Sequence, residues 1–574
     1  MTLRPTSLVD ILRWRAKNQH DRLAYRFLVD GEFDEVVLTY EELDRRARSI
    51  AALLQTSAKA GDRALLLFPP GLDFIAAYFG CLYARIMAIP LYPPHPARLE
   101  KTVPIIRRIA ADAKPSVALL TSSLFDGFKS QNAIRDELGE IKLLATDNNK
   151  MDDWVDKWQQ PEIGGNDIAF LQYTSGSTTV PRGVMVRHNN LLHNLGLIEE
   201  SFGLTSKSET VFWLPPYHDM GLIGGILQSL YTGYPVTLIP HLMFLQRPIR
   251  WLQAISRFHA TCSGGPNFAY DLCIRKIKPE QRELLDLSSW EVAFNGAEPV
   301  YHKTLDQFSE YFAPCGFRRE AFLPCYGLAE ATLMVVGGPK GRSPMIQHLV
   351  SSGLEQNHAI ISPAMSEETR TLVGCGQNIC DQKIRIVDAE TRTPCPANQV
   401  GEIWVSGPSV ANGYWNKPSE TEFTFRASLF DSNEGPFLRT GDLGFLIEGE
   451  LFITGRLKDL IICDGNNHYP HDIERTVEIC HPAIRPAGCA AFSISNSVSE
   501  RVVIIAEIEL NLEVKPEEVI IAIRKAVAMH HDLHVDDIRF IRAGAIPRTT
   551  SGKIKHYVCK ANYMAGTLKE IILI

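Results

Sequence analysis

Residues 173–186 have the composition that best suits binding of an anion. A largely apolar run, 167–172, and a second one, 184–186, flank a segment rich in hydroxyl groups and glycine. Hydroxyls and free backbone N–H groups donate hydrogen bonds, and arginine adds charge in a planar fork. A Ser/Thr-rich surface hairpin would have the same composition, and the segment lacks the Walker A pattern. The residues that could contact a phosphate are Thr174, Ser175, Gly176, Ser177, Thr178 and Arg182.

Two further stretches, 294–299 and 322–332, have the pattern of strand ends that turn through glycine and then carry a carboxylate. In an open α/β sheet, ligands bind at the carboxyl ends of strands. A flat aromatic ring beside glycine suits a purine, and a single glutamate suits Mg²⁺ bound to phosphates. Taken singly, such a tyrosine is more often a packed residue and such a glutamate more often a solvated one. The residues concerned are Gly296, Ala297, Tyr326, Gly327 and Glu330.

Three other polar residues lie on stretches that resemble turns or helix starts. Asp442 could accept hydrogen bonds from both hydroxyls of a ribose, or it could simply be a turn residue after Gly441. Lys553 lies on a loop rich in Thr, Ser and Gly and could bring charge to a phosphate or remain solvated. His218 could be a packed core histidine, a helix-start residue or part of a site.

The elements that must position these groups alternate between strands and helices. Amphipathic helices are predicted over 8–18 and 39–55, the second opened by a capping box of Thr39 and Glu42. Asn189 could cap another helix, directly after the anion-binding segment. The alternation predicts an α/β fold of doubly wound, mostly parallel sheets.

The composition excludes several classes of protein. The 574 residues are 45% hydrophobic and 22% charged, which suits a large globular chain of more than one domain. The net charge of −7 argues against non-specific nucleic-acid binding. The apolar run 222–240 is interrupted by polar residues, glycines and proline, so no membrane span is predicted. Twelve cysteines without a C-x-x-C pair, and no signal peptide, predict a reduced, cytoplasmic protein.

Together the motifs resemble those of the adenylate-forming superfamily, which includes acyl-CoA synthetases, adenylation domains of peptide synthetases and firefly luciferase. The resemblance runs from about Thr39 to Lys553, with the motifs in the family's order. It implies a large N-terminal domain, 1–457, and a small mobile α+β lid, 458–574, with Lys458 at the hinge. It also implies ATP and Mg²⁺ as cofactors.

By this resemblance, 174–183 is the phosphate loop and 295–299 the turn beside adenine. Tyr326 would stack on adenine, while Asp442 and Arg456 would bind ribose. For catalysis the resemblance implies three residues. They are Glu330 as the Mg²⁺ ligand, His218 on the acyl side of the site, and Lys553 as a bridge between carboxylate, ribose and phosphate.

Three positions depart from the superfamily pattern. Thr179 stands where glycine is usual, and Arg182 stands where lysine is usual, which keeps the charge but changes its geometry. Ala329 replaces a threonine and removes one hydroxyl near the phosphates. The principal groups remain, so activity is still expected.

Within the superfamily, the chain most resembles the fatty acyl-AMP ligases. The connection between Glu330 and Gly374 is longer than acyl-CoA synthetases usually carry, and in the ligases such an insertion is thought to restrain the lid and exclude CoA. Its segment 336–363 contains apolar residues, so we expect it to pack on the N-terminal domain near the lid. The other runs typical of the ligases are 215–221, 244–248, 266–270 and 464–470.

The implied reaction is ATP-dependent activation of a fatty acid to acyl-adenylate, with release of pyrophosphate. The acyl group would pass to the phosphopantetheine thiol of an acyl carrier protein or a polyketide or peptide synthase, in trans because no carrier domain follows Lys553 in the sequence. A fatty acyl-CoA synthetase is one alternative. A non-catalytic nucleotide-binding scaffold is the other, and the presence of Lys553, Asp442 and Glu330 argues against it.

Overall fold

The computed structural model describes residues 5–94, 99–130, 139, 141–174, 181–463, 465–495, 500–509, 515–549 and 552–571. Strands and helices alternate along most of it. The strands, in chain order, are β1 Leu23–Leu28, β2 Glu35–Thr39, β3 Arg63–Leu67, β4 Met87–Leu91, β5 Val117–Leu120, β6 Lys142–Ala145, β7 Ile168–Thr174, β8 Arg182–Arg187, β9 Thr210–Phe212, β10 Val236–Leu238, β11 Cys262–Gly265, β12 Val292–Asn295, β13 Phe322–Gly327, β14 Met334–Gly337, β15 Ile346–Val350, β16 Thr369–Val373, β17 Gln377–Asn378, β18 Lys383–Val387, β19 Gly401–Ser406, β20 Leu438–Ile447, β21 Glu450–Arg456, β22 Ile461–Cys463, β23 Asn466–His468, β24 Ile484–Ser495, β25 Glu500–Ile508 and β26 Val535–Arg542.

The helices cover the sheets and connect their parallel strands. A π-helix, Met220–Leu227, and several short 3₁₀ turns accompany them. None of the described helices is long and apolar enough to cross a membrane. The α-helices are α1 Leu8–Asn18, α2 Tyr40–Gln55, α3 Leu72–Tyr83, α4 Leu99–Ala113, α5 Ser122–Ser130, α6 His188–Phe202, α7 Gln228–Thr232, α8 His241–Gln246, α9 Ile249–Phe258, α10 Asn267–Lys276, α11 Pro279–Arg282, α12 His302–Phe312, α13 Ser351–Glu355, α14 Pro418–Phe425, α15 Pro470–Cys480, α16 Pro516–His531 and α17 His556–Met564.

Two large, mostly parallel sheets form the N-terminal domain. One has nine strands in the order β17-β14-β13-β12-β11-β9-β10-β1-β2, and the other has six in the order β6-β5-β3-β4-β7-β8. The edge strands β2, β8 and β17, and β14 next to β17, run antiparallel to their neighbours. A four-stranded antiparallel sheet, β18 to β21, completes this domain. Helical crossovers between non-consecutive parallel strands are the predicted doubly wound arrangement.

The largest hydrophobic cluster contains side chains from both large sheets and from α3. Every residue of α3 except Asp73 is buried. A helix that is apolar on all sides must be covered on all sides, which explains its position in the middle of the domain. The site-forming strand ends therefore rest on a continuous core.

A smaller C-terminal domain has its own sheet and core. Strands β24, β25 and β26 form a three-stranded sheet, and α15 and α16 supply apolar residues to its core. A large α/β domain followed by a small α+β domain is the predicted fold class. The boundary between residues 457 and 458 stays a prediction.

The long connection after Glu330 is structured. Strand β15 pairs antiparallel with β16. Leu349 and Leu354 are buried in one cluster with Phe445 and Phe452 of the N-terminal domain and Tyr469 of the C-terminal domain. The predicted packing of this segment near the lid is confirmed.

Of the two helix caps predicted from the sequence, one is present in the structure and the other is not. The capping box of Thr39 and Glu42 is present at the start of α2. The prediction that Asn189 caps α6 is wrong, because Arg187 is the N-cap and the side chain of Asn190 accepts its backbone N–H. Asn189 instead donates its backbone N–H to the Gly165 carbonyl at 2.8 Å.

Gly80→Ala should destabilise the N-terminal domain by about 1–3 kcal/mol, because overpacking a closed core forces neighbours to move. A methyl group at Gly80 would lie 2.5 Å from Ile50 Cγ2 on α2. Gly127 on α5 is the matched control, since a Cβ there meets nothing within 4 Å. Gly127→Ala should be neutral or stabilising. Scanning calorimetry on both variants tests this, and equal unfolding temperatures would contradict it.

Candidate active site

Two turns lie side by side at the carboxyl edge of the nine-stranded sheet. Strands β12 and β13 are parallel neighbours, so the turn after Asn295 adjoins the end of β13. A Cβ on Gly296 would lie 2.7 Å from the Cys325 carbonyl oxygen, so this close approach requires glycine. Ala297 has a φ of 71°, a left-handed conformation that is uncommon for alanine. A Cβ on Gly327 would lie 1.8 Å from the Leu333 carbonyl oxygen, which makes a second position where only glycine fits.

Tyr326, Asp442 and Arg456 form one hydrogen-bonded group. The Tyr326 hydroxyl donates to Asp442 Oδ2 at 2.7 Å, and Arg456 Nε donates to Asp442 Oδ1 at 2.8 Å. Asp442 and Arg456 are also direct partners in the β20–β21 ladder. Burial and the Asp442 charge raise the pKa of Tyr326, and the same carboxylate raises the pKa of Arg456. At neutral pH Tyr326 is therefore a neutral phenol and Arg456 a guanidinium.

Glu330 and Arg182 meet around the Tyr414 ring. The Tyr414 hydroxyl donates to Glu330 Oε1 at 2.7 Å. The Arg182 guanidinium carbon lies 5.3 Å from the centre of the Tyr414 ring, and its Nε lies 2.6 Å from Glu420 Oε2. The predicted metal ligand and the predicted phosphate-binding arginine thus belong to one network.

The predicted phosphate loop joins β7 to β8. Its first residue, Thr174, pairs with Arg182 at the open end of these antiparallel strands. The neighbouring Tyr173 hydroxyl donates to Asp112 Oδ2 at 2.6 Å, which fixes the start of the loop. The predicted phosphate contacts Ser175, Gly176, Ser177 and Thr178 lie outside the described residues.

His218 lies in a group of aromatic rings just before the π-helix. Its ring centre is 5.2 Å from that of Tyr217, whose hydroxyl lies 3.3 Å from His241 Nε2. A Cβ on Gly221 would come within 2.1 Å of the Pro215 carbonyl oxygen, so this segment turns tightly. Asp219 caps the π-helix by accepting the Met220 backbone N–H at 2.8 Å.

Lys553 lies in the C-terminal domain beside the antiparallel bridge of Arg548 and Ile554, and its charge interacts with charged residues of the N-terminal domain. The Thr549 backbone N–H donates to the Lys553 carbonyl oxygen at 2.8 Å, and the Lys553 backbone N–H donates to the Thr549 hydroxyl at 3.0 Å. The side chain reaches water, yet the surrounding protein and the Arg456 charge lower its pKa. The carboxylates that oppose this shift are Asp219, Asp442 and Glu298.

The structure therefore brings Tyr326, Asp442, Arg456 and Lys553 together. The motifs gave no specific role to Glu298 and did not include Tyr414. Glu298 accepts the Phe268 backbone N–H at 2.6 Å, and burial raises its pKa to about 7. Its place in the turn after β12 was the available signal. Tyr414 lies 84 residues after Glu330, and no local pattern linked the two.

Comparison with known proteins agrees with this geometry. Residues 12–415 match the family of AMP-binding enzymes, and residues 458–572 match the AMP domain of Disco-interacting protein 2-like proteins. The medium-chain-fatty-acid–[acyl-carrier-protein] ligase JamA of Moorena producens is 47% identical over 98% of this chain and 96% of its own length. The corresponding ligase TtuA of Teredinibacter turnerae is 36% identical over 98% and 94%.

Solved structures give the same result. The fatty acid AMP ligase of Legionella pneumophila is 43% identical, with a TM-score of 0.78 over 99% of this chain and 97% of that one. A fatty acyl-adenylate ligase from the same organism, in complex with acyl adenylate and pyrophosphate, is 42% identical with a TM-score of 0.77 over 98% and 96%. The chain therefore belongs to the AMP-binding enzyme family, among its fatty acyl-AMP ligases.

Proposed function

We propose that the protein uses ATP to convert a fatty acid to its acyl-adenylate, and then passes the acyl group to the phosphopantetheine thiol of a separate carrier protein. The observation that carries the proposal is the approach of Lys553 to the Tyr326, Asp442 and Arg456 group from the other domain. A carboxylate oxygen would attack the α-phosphorus of ATP. The bond from that phosphorus to the bridging oxygen breaks, and pyrophosphate leaves.

The nucleotide would lie across the ends of β12 and β13. The purine would lie between the Gly296–Ala297 turn, which carries no bulky side chain, and the Tyr326 ring. Asp442 would accept from the ribose hydroxyls, with Arg456 beside it. Residues 174–178 would donate to the phosphates, and Arg182 would exchange Glu420 for a phosphate oxygen.

Glu330 fits a Mg²⁺ ion that is bound mainly by phosphates and water. The Tyr414 hydroxyl orients the carboxylate through one oxygen, and among the described hydrogen bonds none engages the other. Mg²⁺ usually keeps several waters and takes only one or two protein carboxylates when it is bound to phosphates, so a single glutamate is enough to hold it. When bound, the ion would neutralise phosphate charge.

His218 and the rings around it would form the acyl side of the site. Burial and the nearby His218 lower the pKa of His241 to about 4, so His241 stays neutral at physiological pH. A neutral aromatic wall suits the apolar chain of a fatty acid. The names of JamA and TtuA, which specify medium-chain fatty acids and an acyl carrier protein, support both the substrate class and the partner.

The twelve cysteines are free thiols, which fits a protein that works in a reducing cytoplasm.

The direct test is incubation with ATP, Mg²⁺ and a series of fatty acids, with and without CoA and a phosphopantetheinylated carrier protein. Mass spectrometry should detect acyl-AMP and acyl-carrier product. Acyl-CoA as the main product would favour the acyl-CoA synthetase alternative, which the name of a 38% identical relative, a putative fatty-acid–CoA ligase, keeps open.

Lys553→Ala should lower the rate of pyrophosphate release by about 100- to 1000-fold, because one preorganised electrostatic donor is lost. ATP binding by titration calorimetry should change little, since most nucleotide contacts come from the N-terminal domain. Lys560→Ala, an exposed position on α17, is the matched control and should retain full activity. Near-normal pyrophosphate release by Lys553→Ala would remove this lysine from the chemistry.

Asp442→Ala should raise the KM for ATP, because unpaired ribose hydroxyls in a closed site cost about 1–3 kcal/mol. Tyr326→Phe keeps the ring and loses only the hydrogen bond to Asp442, so its KM should rise less. Asp306→Ala breaks a surface ion pair with Arg319 and should leave KM unchanged. Initial rates over a range of ATP concentrations measure all three, and an unchanged KM in Asp442→Ala would contradict the ribose role.

Replacing residues 345–363 by a short Gly-Ser linker should leave acyl-AMP formation largely intact and allow some acyl-CoA to form. The segment packs against both domains, so its loss should free the lid to reach a thiol-accepting orientation. Asn467→Ala is a milder variant that removes the hydrogen bond, 3.1 Å long, which Asn467 of the lid donates to the Asn357 side chain. A folded deletion variant that makes acyl-AMP but no acyl-CoA would place the block elsewhere.

A further inference from the structure

Arg370, on β16, makes four contacts around the junction of the two domains. Its Nε lies 2.9 Å from Asp472 Oδ2, and its Nη2 donates to His471 Nε2 at 2.7 Å. The same Nη2 donates to the Thr454 carbonyl oxygen at 2.9 Å, and the guanidinium lies 4.5 Å from the centre of the Tyr469 ring. The Arg370 side chain is only 13% exposed. Three of these partners belong to the C-terminal domain, while Arg370 and Thr454 belong to the N-terminal domain.

The tyrosine in this group is inserted into the N-terminal domain. Tyr469 is 5% exposed and packs in the cluster that contains Phe445 and Phe452. A Cβ on Gly455 would lie 2.6 Å from the Tyr469 ring, so glycine is what allows the ring to approach β21. The Arg370 guanidinium lies over the Tyr469 ring and covers it where it packs in this apolar cluster.

The protonation of the group is set by its surroundings. Burial, with the Arg370 charge assisting, lowers the pKa of His471. Arginine has only donors, so the Nε2 of a neutral His471 must accept. Asp472 supplies the negative charge that a guanidinium with little exposure requires.

We propose that Arg370 is a positioning residue for adenylation, which clamps Tyr469, His471 and Asp472 and thereby holds the C-terminal domain where Lys553 reaches the site. The proposal rests on the proposed function. The contacts join two domains, so any rotation that carries Lys553 away must break them. A contact made in one orientation only shifts the population towards that orientation.

The first experiment compares two half-reactions in Arg370→Met and wild type. With decanoic acid and ATP, kcat for pyrophosphate release should fall about tenfold, while the KM for ATP changes less. Transfer from prepared decanoyl-adenylate to pantetheine should be unchanged or faster, because it does not need Lys553. Arg370→Lys should restore little, since lysine lacks the planar fork. Arg319→Met, which removes a body ion pair with Asp306, is the matched control.

A lid-side variant tests the same contact from the other domain. Asp472→Asn should also slow pyrophosphate release, and the double variant with Arg370→Met should be less impaired than the two separate effects predict, because both remove one interaction. Wild-type pyrophosphate release by Arg370→Met, or an equal loss in both half-reactions, would overturn the proposal.

Hydrogen exchange separates this inference from the proposed function. Amide exchange in 466–475 and 345–373 should speed up in Arg370→Met and stay at the wild-type rate in Arg319→Met. This readout needs no substrate. If wild type released no pyrophosphate with any fatty acid, the proposed function would fail while the exchange result still tested the clamp. An unchanged rate of amide exchange in 466–475 of Arg370→Met would refute the proposed role of Arg370.

Discussion

The Asp442 carboxylate is the group on which the geometry of the site depends. Its side chain is 8% exposed, with Tyr326 on one oxygen and Arg456 on the other. A charge this deeply buried persists only when it is paired and hydrogen-bonded. Its two partners lie on β13 and β21, so satisfying the carboxylate fixes the nine-stranded sheet relative to the four-stranded one. The aromatic ring and the ribose-facing groups are placed by the same constraint.

Close backbone approaches then shape the surface around this group. Gly296 and Gly327 lie where any side chain would strike a carbonyl oxygen, so the two strand-end turns can lie against each other. Gly221 allows the segment that carries His218 to fold back on Pro215. These positions explain why the motifs consist of glycine beside one functional side chain. The glycine allows two backbone segments to approach each other closely, and the neighbouring side chain is the one that can contact a ligand.

The sequence predicts local features well when the interaction is local. The Thr39–Glu42 capping box needs only four consecutive residues, and it is present. Asn189 has the right type for a cap, but its backbone N–H is bonded to Gly165, while Arg187 is the N-cap and donates its backbone N–H to the Asn190 side chain. That outcome depends on a segment more than twenty residues earlier.

The residues of the site also fall into those that local motifs predict and those that depend on contacts between distant parts of the chain. The residues that carry nucleotide chemistry lie in recognisable motifs and could be selected from the sequence. The bond between Tyr326 and Asp442 spans 116 residues, and each motif by itself gave no sign of the other. Arg370 lies in no motif, and only the packing of the two domains gives it four partners.

Electrostatics explains why the lysine alone does not fix the position of its domain. Asp219, Asp442 and Glu298 attract Lys553, yet the surrounding protein and the Arg456 charge disfavour its ammonium enough to lower its pKa. The attraction by the carboxylates is therefore smaller than the combined effect of desolvation and the Arg456 charge, and Lys553 by itself gives the junction little stabilisation. The orientation of the domain then depends on other contacts across the junction, among them the buried Tyr469 ring in its apolar cluster and the contacts of Arg370 with His471 and Asp472. Separating the group that holds the domain from the group that acts on the substrate leaves Lys553 free to respond to the charge of the bound nucleotide.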